Sequence, residues 1–149
     1  MKEKYKHTQI GYLLLSIYSV AILLIGFLAI GSDFNVIVLV VLIILLITLG
    51  LFATLTVSVD NRLIKLYFGV GLIRKYFVLK DIETYRVVKN PWYYGWGIRY
   101  TPHGWLFNVS GLSAIELHMR NGKQYRIGTD DSAGLAKAID EALRDAFIY

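Results

Sequence analysis

Apolar positions are distributed unevenly along this chain of 149 residues. Residues 9–32 contain no charged side chain, neither do residues 34–59, and Asp33 stands between the two stretches. A helix needs about 20 predominantly apolar residues to cross a bilayer, and each stretch supplies them. The pattern predicts two membrane helices, residues 9–31 and 34–55, joined by a turn short enough to force antiparallel neighbours. Gly31 suits the left-handed position that ends a helix, and Ser32 or Asp33 suits the cap of the next one. Tyr5 and Tyr12 are expected near the headgroup boundary, where amphipathic rings are favoured. Ser19, Gly26 and Ala29 fall on roughly one helix face, where small residues let a neighbouring backbone approach.

Beyond about Leu55 the periodicity changes to short alternating runs, the mark of half-buried strands. Such runs cover 56–59, 63–68, 72–78, 82–88, 97–100, 105–109, 114–120 and 123–128, separated by turn residues such as Asp60-Asn61, Gly69-Val70-Gly71 and Asn90-Pro91. Thr101-Pro102-His103-Gly104 fits a type I turn, with Pro second and Gly fourth. The last hairpin has a definite register. A three-residue loop, Arg120-Asn121-Gly122, pairs Leu117 with Tyr125, Ile115 with Ile127 and Glu116 with Arg126, whereas a two-residue loop mixes the faces. Trp105 and Phe107 alternate with Leu106 and Asn108 and are expected to face the core. Finally, Leu135, Ile139, Ala142, Leu143 and Ala146 recur at helical spacing behind Asp130 and Asp131, which offer caps. The expectation is about seven strands followed by one amphipathic helix.

Charge sets the orientation. The chain carries 16 Lys+Arg against 11 Asp+Glu, a net +5. Lys2, Lys4 and Lys6 precede the first apolar stretch, Arg62 and Lys65 follow the second, and the intervening turn has no basic residue. Positive residues stay on the cytoplasmic side, so both termini are expected there, on a multi-pass protein of the cell membrane. Lys2, Lys4 and Lys6, with Ala29-Ile30-Gly31 downstream, also imitate a signal peptide, but the apolar run is longer than an h-region and is read as a retained helix. Apart from Tyr, neither stretch holds an ionisable side chain, which argues against an ion or proton pathway.

Candidate chemistry is sparse. With no cysteine, thiolate nucleophiles, disulfides and Cys-ligated metals are excluded. No phosphate loop, nucleophile elbow or metalloprotease motif occurs, and no basic run or recognition-helix pattern points to nucleic acid. No catalytic, metal or cofactor-binding residue is assigned. His7, His103 and His118 are far apart in sequence and are read as surface residues. Arg74, Lys75, Arg86, Lys89 and Arg99 are either scattered solvated charges or a basic patch. The densest feature is the segment from Lys89 to Arg99. Trp92, Tyr93, Tyr94 and Trp96 there stand on a Gly-containing loop between Lys89 and Arg99. Two readings remain open for these six residues: a contact surface for lipid headgroups or a peptide, or a plug packed on the end of the β domain.

Three stretches carry a resemblance: residues 68–75 (FGVGLIRK), 90–99 (NPWYYGWGIR) and 104–111 (GWLFNVSG), the last running on to Asn121-Gly122-Lys123 and to residues 126–130. With the order of strands and a single final helix, they resemble small prokaryotic membrane proteins that carry a pleckstrin-homology-like (PH-like) domain after two transmembrane helices. The resemblance implies a membrane α-helical hairpin in residues 1–55 and a cytoplasmic PH-like barrel of about seven strands with one C-terminal helix in residues 56–149. It implies a binding or scaffolding module, not an enzyme, that contacts a membrane or cytoplasmic protein, a peptide or anionic lipid headgroups. The alternative is a structural subunit assembled with other membrane proteins through its helices.

Overall fold

An apolar helical hairpin interrupts a β-sheet. The computed structural model describes residues 2–33 and 35–148. The chain begins with strand β1 (Glu3–Ile10), then forms helices α1 (Tyr12–Gly31) and α2 (Val36–Phe52), and returns into strand β2 (Thr54–Asp60). Strands β1 and β2 are antiparallel neighbours, in register from Tyr5↔Val59 to Ile10↔Thr54. The ladder continues to the base of the hairpin, where the Gly11 N–H donates to the Ala53 carbonyl at 2.8 Å. Sequence alternation did not reveal β1, because the positions on its more buried face are the polar or amphipathic Tyr5, His7 and Gln9, and Ile10 falls on the other face.

Strands β3 (Leu63–Phe68) and β4 (Ile73–Val78) complete a four-stranded sheet of order β1-β2-β3-β4. The second sheet contains β5 (Ile82–Lys89), β6 (Gly97–Thr101), β7 (Gly104–Asn108), β8 (Ser113–Met119) and β9 (Gln124–Gly128) in the order β5-β8-β9-β7-β6. Eight strands therefore follow the helices among the described residues, where the sequence pattern gives about seven. All ladders are antiparallel except β7 with β9. The last hairpin has the expected register, Ile115↔Ile127, Glu116↔Arg126 and Leu117↔Tyr125, with Gly122 at φ +82° in its loop.

The two sheets enclose one core. Leu55, Val57, Val59, Ile64, Leu66 and Phe68 face Phe107, Ile115, Leu117 and Ile127. The stripe of α3 (Ser132–Ile148) covers this core with Leu135, Ile139 and Ala142, as its spacing predicts. Asp131 caps α3 by accepting from the Gly134 N–H at 3.1 Å. The same carboxylate accepts from Tyr5 Oη at 3.0 Å, and Lys4 pairs with Asp145, so β1 is tied to both ends of α3. Tyr5 thus belongs to a strand, not to the headgroup boundary. Burial, reinforced by Asp131, pushes its phenol pKa up.

Among the described residues one helix, α1, is long and apolar enough to cross a membrane, with 20 residues. Helix α2 is equally apolar but has 17 residues. Phe34, where the second stretch was placed to begin, lies outside the described residues. The caps differ from expectation. Gly31 remains helical and Asp33 takes the left-handed conformation at φ +50°. Asn35 caps α2, its Oδ1 accepting from the Ile37 N–H at 2.9 Å. Ala29 is buried in the hairpin, as a small residue at a close approach should be, whereas Ser19 is exposed.

Candidate functional site

Strand pairing alone aligns a row of side chains across the second sheet. Arg86 on β5 faces Glu116 on β8, which faces Arg126 on β9; Arg126 faces Leu106 on β7, which faces Arg99 on β6. Side chains alternate between the faces of a sheet, so this row lies opposite the core. That face would ordinarily be solvated. Here Glu116 and Leu106 are wholly buried and Arg126 nearly so.

The cover is the aromatic segment. After Asn90 the chain turns through a 3-10 helix, Trp92–Tyr94, and returns into β6 at Gly97. The Tyr94 ring lies 5.9 Å from the Arg126 guanidinium and 6.3 Å from the His103 ring. Asn90 is buried and its Oδ1 accepts from Arg126 Nη1 at 2.9 Å. Trp96 is half-buried, and its indole N–H is shielded without an acceptor. Arg99 folds back to donate from Nε to the Trp96 carbonyl at 2.8 Å. These contacts make Tyr94 and Trp96 part of a lid over the charged row.

Beneath the lid Glu116 is the common acceptor. Its Oε2 accepts from Arg126 Nε at 2.7 Å, its Oε1 accepts from Arg86 Nε at 2.8 Å, and His118 Nε2 lies 2.7 Å from Oε1. His103 Nδ1 stands 4.0 Å from Oε2. Burial alone would raise the carboxyl pKa, but hydrogen bonds from His118, Arg126 and Arg86 together pull it down to about 2. An ionised carboxylate between two guanidinium groups is a buried ion network, whose charges are tolerable only because each is paired. It has the character of a fixed strut, since every carboxylate oxygen is engaged.

The six candidate contact residues are divided by this arrangement. Trp92 and Tyr93 project outward, 76% and 67% exposed, and Lys89 and Arg99 are exposed beside them. Tyr94 and Trp96 turn inward. The wider set of basic residues is dispersed: Arg86 pairs with Glu116, Arg74 lies over Tyr67, and Lys75 lies over the rings of Phe77 and Tyr125.

Two aromatic residues outside that set enlarge the exposed surface. Tyr100 is 74% exposed and Trp105 is 45% exposed, their rings edge-to-face at 5.4 Å. Trp105 shares a face with Phe107, as alternation requires, but it is not core. It lies near the start of β7, stacks edge-to-face on Tyr100, and lines an open cleft with Tyr100, Pro102, Lys123 and Tyr125. A second shallow cleft joins Tyr93 and Tyr94 to Tyr100 and Pro102. Tyr100 borders both, so exposed rings flank the edge strand β6 on its two sides, Tyr93 by the lid and Tyr100 with Trp105 on the opposite face.

The three histidines lie at the surface, as read from the sequence, and each has an acidic neighbour. His103 in the β6–β7 turn and His118 on β8 converge on Glu116, and His7 reaches Asp130, with Nε2 and Oδ1 2.5 Å apart. The one sequence signal for this network was the Glu116–Arg126 pairing implied by the hairpin register. Comparison with family models, curated proteins and solved structures finds no match to this chain.

Proposed function

We propose that this chain is a membrane-tethered binding module. Its apolar hairpin anchors a β domain that presents the exposed rings of Trp92, Tyr93, Tyr100 and Trp105 to a peptide segment of a partner protein. The observation that carries the reading is the β1–β2 ladder closing at Ile10↔Thr54. A strand before the helices is bonded to the strand after them, so the chain leaves and re-enters the domain at one place. If α1 crosses the bilayer, α2 is the return crossing, and both ends of the hairpin lie on one side. The 17 residues of α2 fall at the short end of the usual range for a spanning helix. The basic residues Lys2, Lys4, Lys6, Arg62 and Lys65 favour the cytoplasmic side for both ends, by the preference of positive charge for that face.

A tethered module samples its partner at high local concentration, so a shallow aromatic surface suffices for function. Trp and Tyr are the side chains that contribute most per residue at protein interfaces. Strand β6 is an edge strand, and its unpaired backbone groups suit addition of an extended peptide beside those rings. Two sheets and a final helix support the PH-like resemblance, and the binding role agrees with it. No catalytic group is proposed, because Glu116 is buried with both carboxylate oxygens engaged.

The test is photo-cross-linking in native membranes from a reactive analogue at Tyr100 of the full chain. The reading expects an adduct that disappears when Trp92 and Tyr93 are changed to Ser without altering the circular dichroism spectrum. An adduct of unchanged yield would reject these rings as the contact surface. Reporter fusions at Lys6 and Ile148 test the topology, and opposite sidedness would reject the two-pass anchor.

A further inference from the structure

We infer that the β3–β4 turn, residues 69–72, is a second membrane contact: Val70 and Leu72 enter the bilayer at the headgroup boundary beside the end of α2. The inference rests on the hairpin spanning the membrane, as proposed above, and adds a surface of the β domain to the anchor.

Three observations carry it. The first is position. The Gly69 N–H donates to the Thr54 carbonyl at 2.9 Å, and a Cβ on Gly69 would overlap the carbonyl oxygens of Gly50 and Leu51. The turn is therefore seated against the last turn of α2, at the level where the helix leaves the apolar phase. The second is chemistry. Val70 and Leu72 are each 75% exposed, on a four-residue loop closed by a hydrogen bond from the Gly71 N–H to the Phe68 carbonyl at 2.8 Å. Two aliphatic side chains held in water next to an apolar helix end are stabilised by entering the same apolar phase. Arg74 folds back onto the turn, with Nε 2.5 Å from the Gly71 carbonyl, and its guanidinium lies 5.8 Å from the Tyr67 ring centroid. A cation and an amphipathic ring just above two aliphatic side chains match the layering of a headgroup region.

The third observation is length. At about 1.5 Å per residue, the 17 residues of α2 extend roughly 25 Å, short of a hydrocarbon core of about 30 Å. Its last residue, Phe52, already packs edge-to-face on Phe68 of the domain core at 5.8 Å. A short helix without a flexible linker draws its soluble domain against the headgroups, and the turn beside it goes in first.

The chain has no cysteine, so single labels are unambiguous. Full-length protein carrying Val70→Cys, Leu72→Cys, Leu23→Cys or Val87→Cys would be labelled with a nitroxide and reconstituted in mixed phosphatidylcholine–phosphatidylglycerol vesicles. Leu23 lies midway along α1 and reports the hairpin, while Val87 is an exposed position on β5. Relative to position 87, labels at 70 and 72 should gain collision rate with oxygen and lose it with a water-soluble nickel chelate. Labels at 70 and 72 that behave like the one at 87, with position 23 shielded from the chelate, overturn this inference and leave the anchor standing. A label at 23 open to the chelate overturns both.

Discussion

Ile10 and Thr54 face each other across the β1–β2 ladder although the whole apolar hairpin lies between them in sequence. A membrane anchor attached through one linker lets its domain swing. Here two adjacent strands enter and leave the hairpin, and Phe52 at the end of α2 packs on Phe68 of the core. Helices and sheet are one mechanical unit, so the domain has a fixed face toward the plane of the anchor. Under the proposed anchoring, a partner would approach from the sides or the far end, where Tyr100 and Trp105 are exposed.

The same pairing predicts how to obtain the domain without its anchor. Replacing residues 12–52 by Asn-Gly should join Gly11 to Ala53 through a two-residue hairpin turn and give a soluble, cooperatively folding protein. A fragment beginning at Thr54 lacks β1, bares the edge of β2 and loses the contacts of Tyr5 and Lys4 with α3. Its melting temperature should be lower by ~10 °C or more, the shift that about 2 kcal/mol produces in a domain of this size. Equal melting of the two proteins would show that β1 contributes nothing to the fold.

Glu116 should govern acid stability. Its folded-state pKa of about 2 is depressed below the ordinary 4.5, so the unfolded chain binds its proton first as pH falls. The stabilisation is complete above the unfolded pKa and is lost as pH drops through the folded one. Unfolding free energy should therefore decline between about pH 5 and pH 2. Glu116→Gln should flatten that slope. It should also destabilise the neutral-pH protein by about 3–5 kcal/mol, because Arg126 is left buried without its counter-charge. Denaturant titrations across this pH range check both, and an unchanged slope in the variant would show that another carboxylate is responsible.

How legible each feature was follows from how local its cause is. The Glu116–Arg126 pairing was readable because Ile115 and Leu117 against Tyr125 and Ile127 leave one register that keeps the faces apart. The α3 stripe was readable for the same reason, with period 3.6 in place of 2. By contrast β1 carries Lys4, Lys6 and His7, and its partners Asp130, Asp131 and Asp145 lie at the other end of the chain. Nothing within a short window reports such a strand. The parallel β7–β9 ladder is equally nonlocal, and it is what brings Leu106 beside Arg126 and the aromatic segment over the charged row. Trp105 shows a different limit: alternation gives the face of a residue, but not whether that part of the face is covered.

The aromatic residues should separate cleanly by energy. Phe107→Ala empties a core site between Phe68 and Phe77 and should cost about 3–5 kcal/mol. Trp105→Ala, Tyr100→Ala and Trp92→Ala remove exposed rings and should each stay within about 0.5 kcal/mol of the parent. Tyr94→Ala should fall between, since its ring covers Arg126. Thermal melts of the six proteins, the parent included, decide the matter. A Trp105→Ala variant as unstable as Phe107→Ala would return Trp105 to the core and remove it from the proposed contact surface.

Two glycines of one turn should differ sharply in tolerance. Gly69 and Gly71 both adopt left-handed backbone, at φ +50° and +85°, so alanine at either meets a conformational penalty of about 1–2 kcal/mol. Only Gly69 is pressed against another element. Its Cβ would strike the Gly50 and Leu51 carbonyl oxygens, rigid backbone at the end of α2, whereas a Cβ at Gly71 meets open space. Gly69→Ala should therefore exceed Gly71→Ala by about 1 kcal/mol or more, the usual scale of overpacking. It should also lever the turn away from the helix. Full-length protein melted in the same detergent gives the difference directly. Equal penalties would mean that the turn yields without loss, and that the seat of the β domain on α2 is soft and not the rigid junction described here.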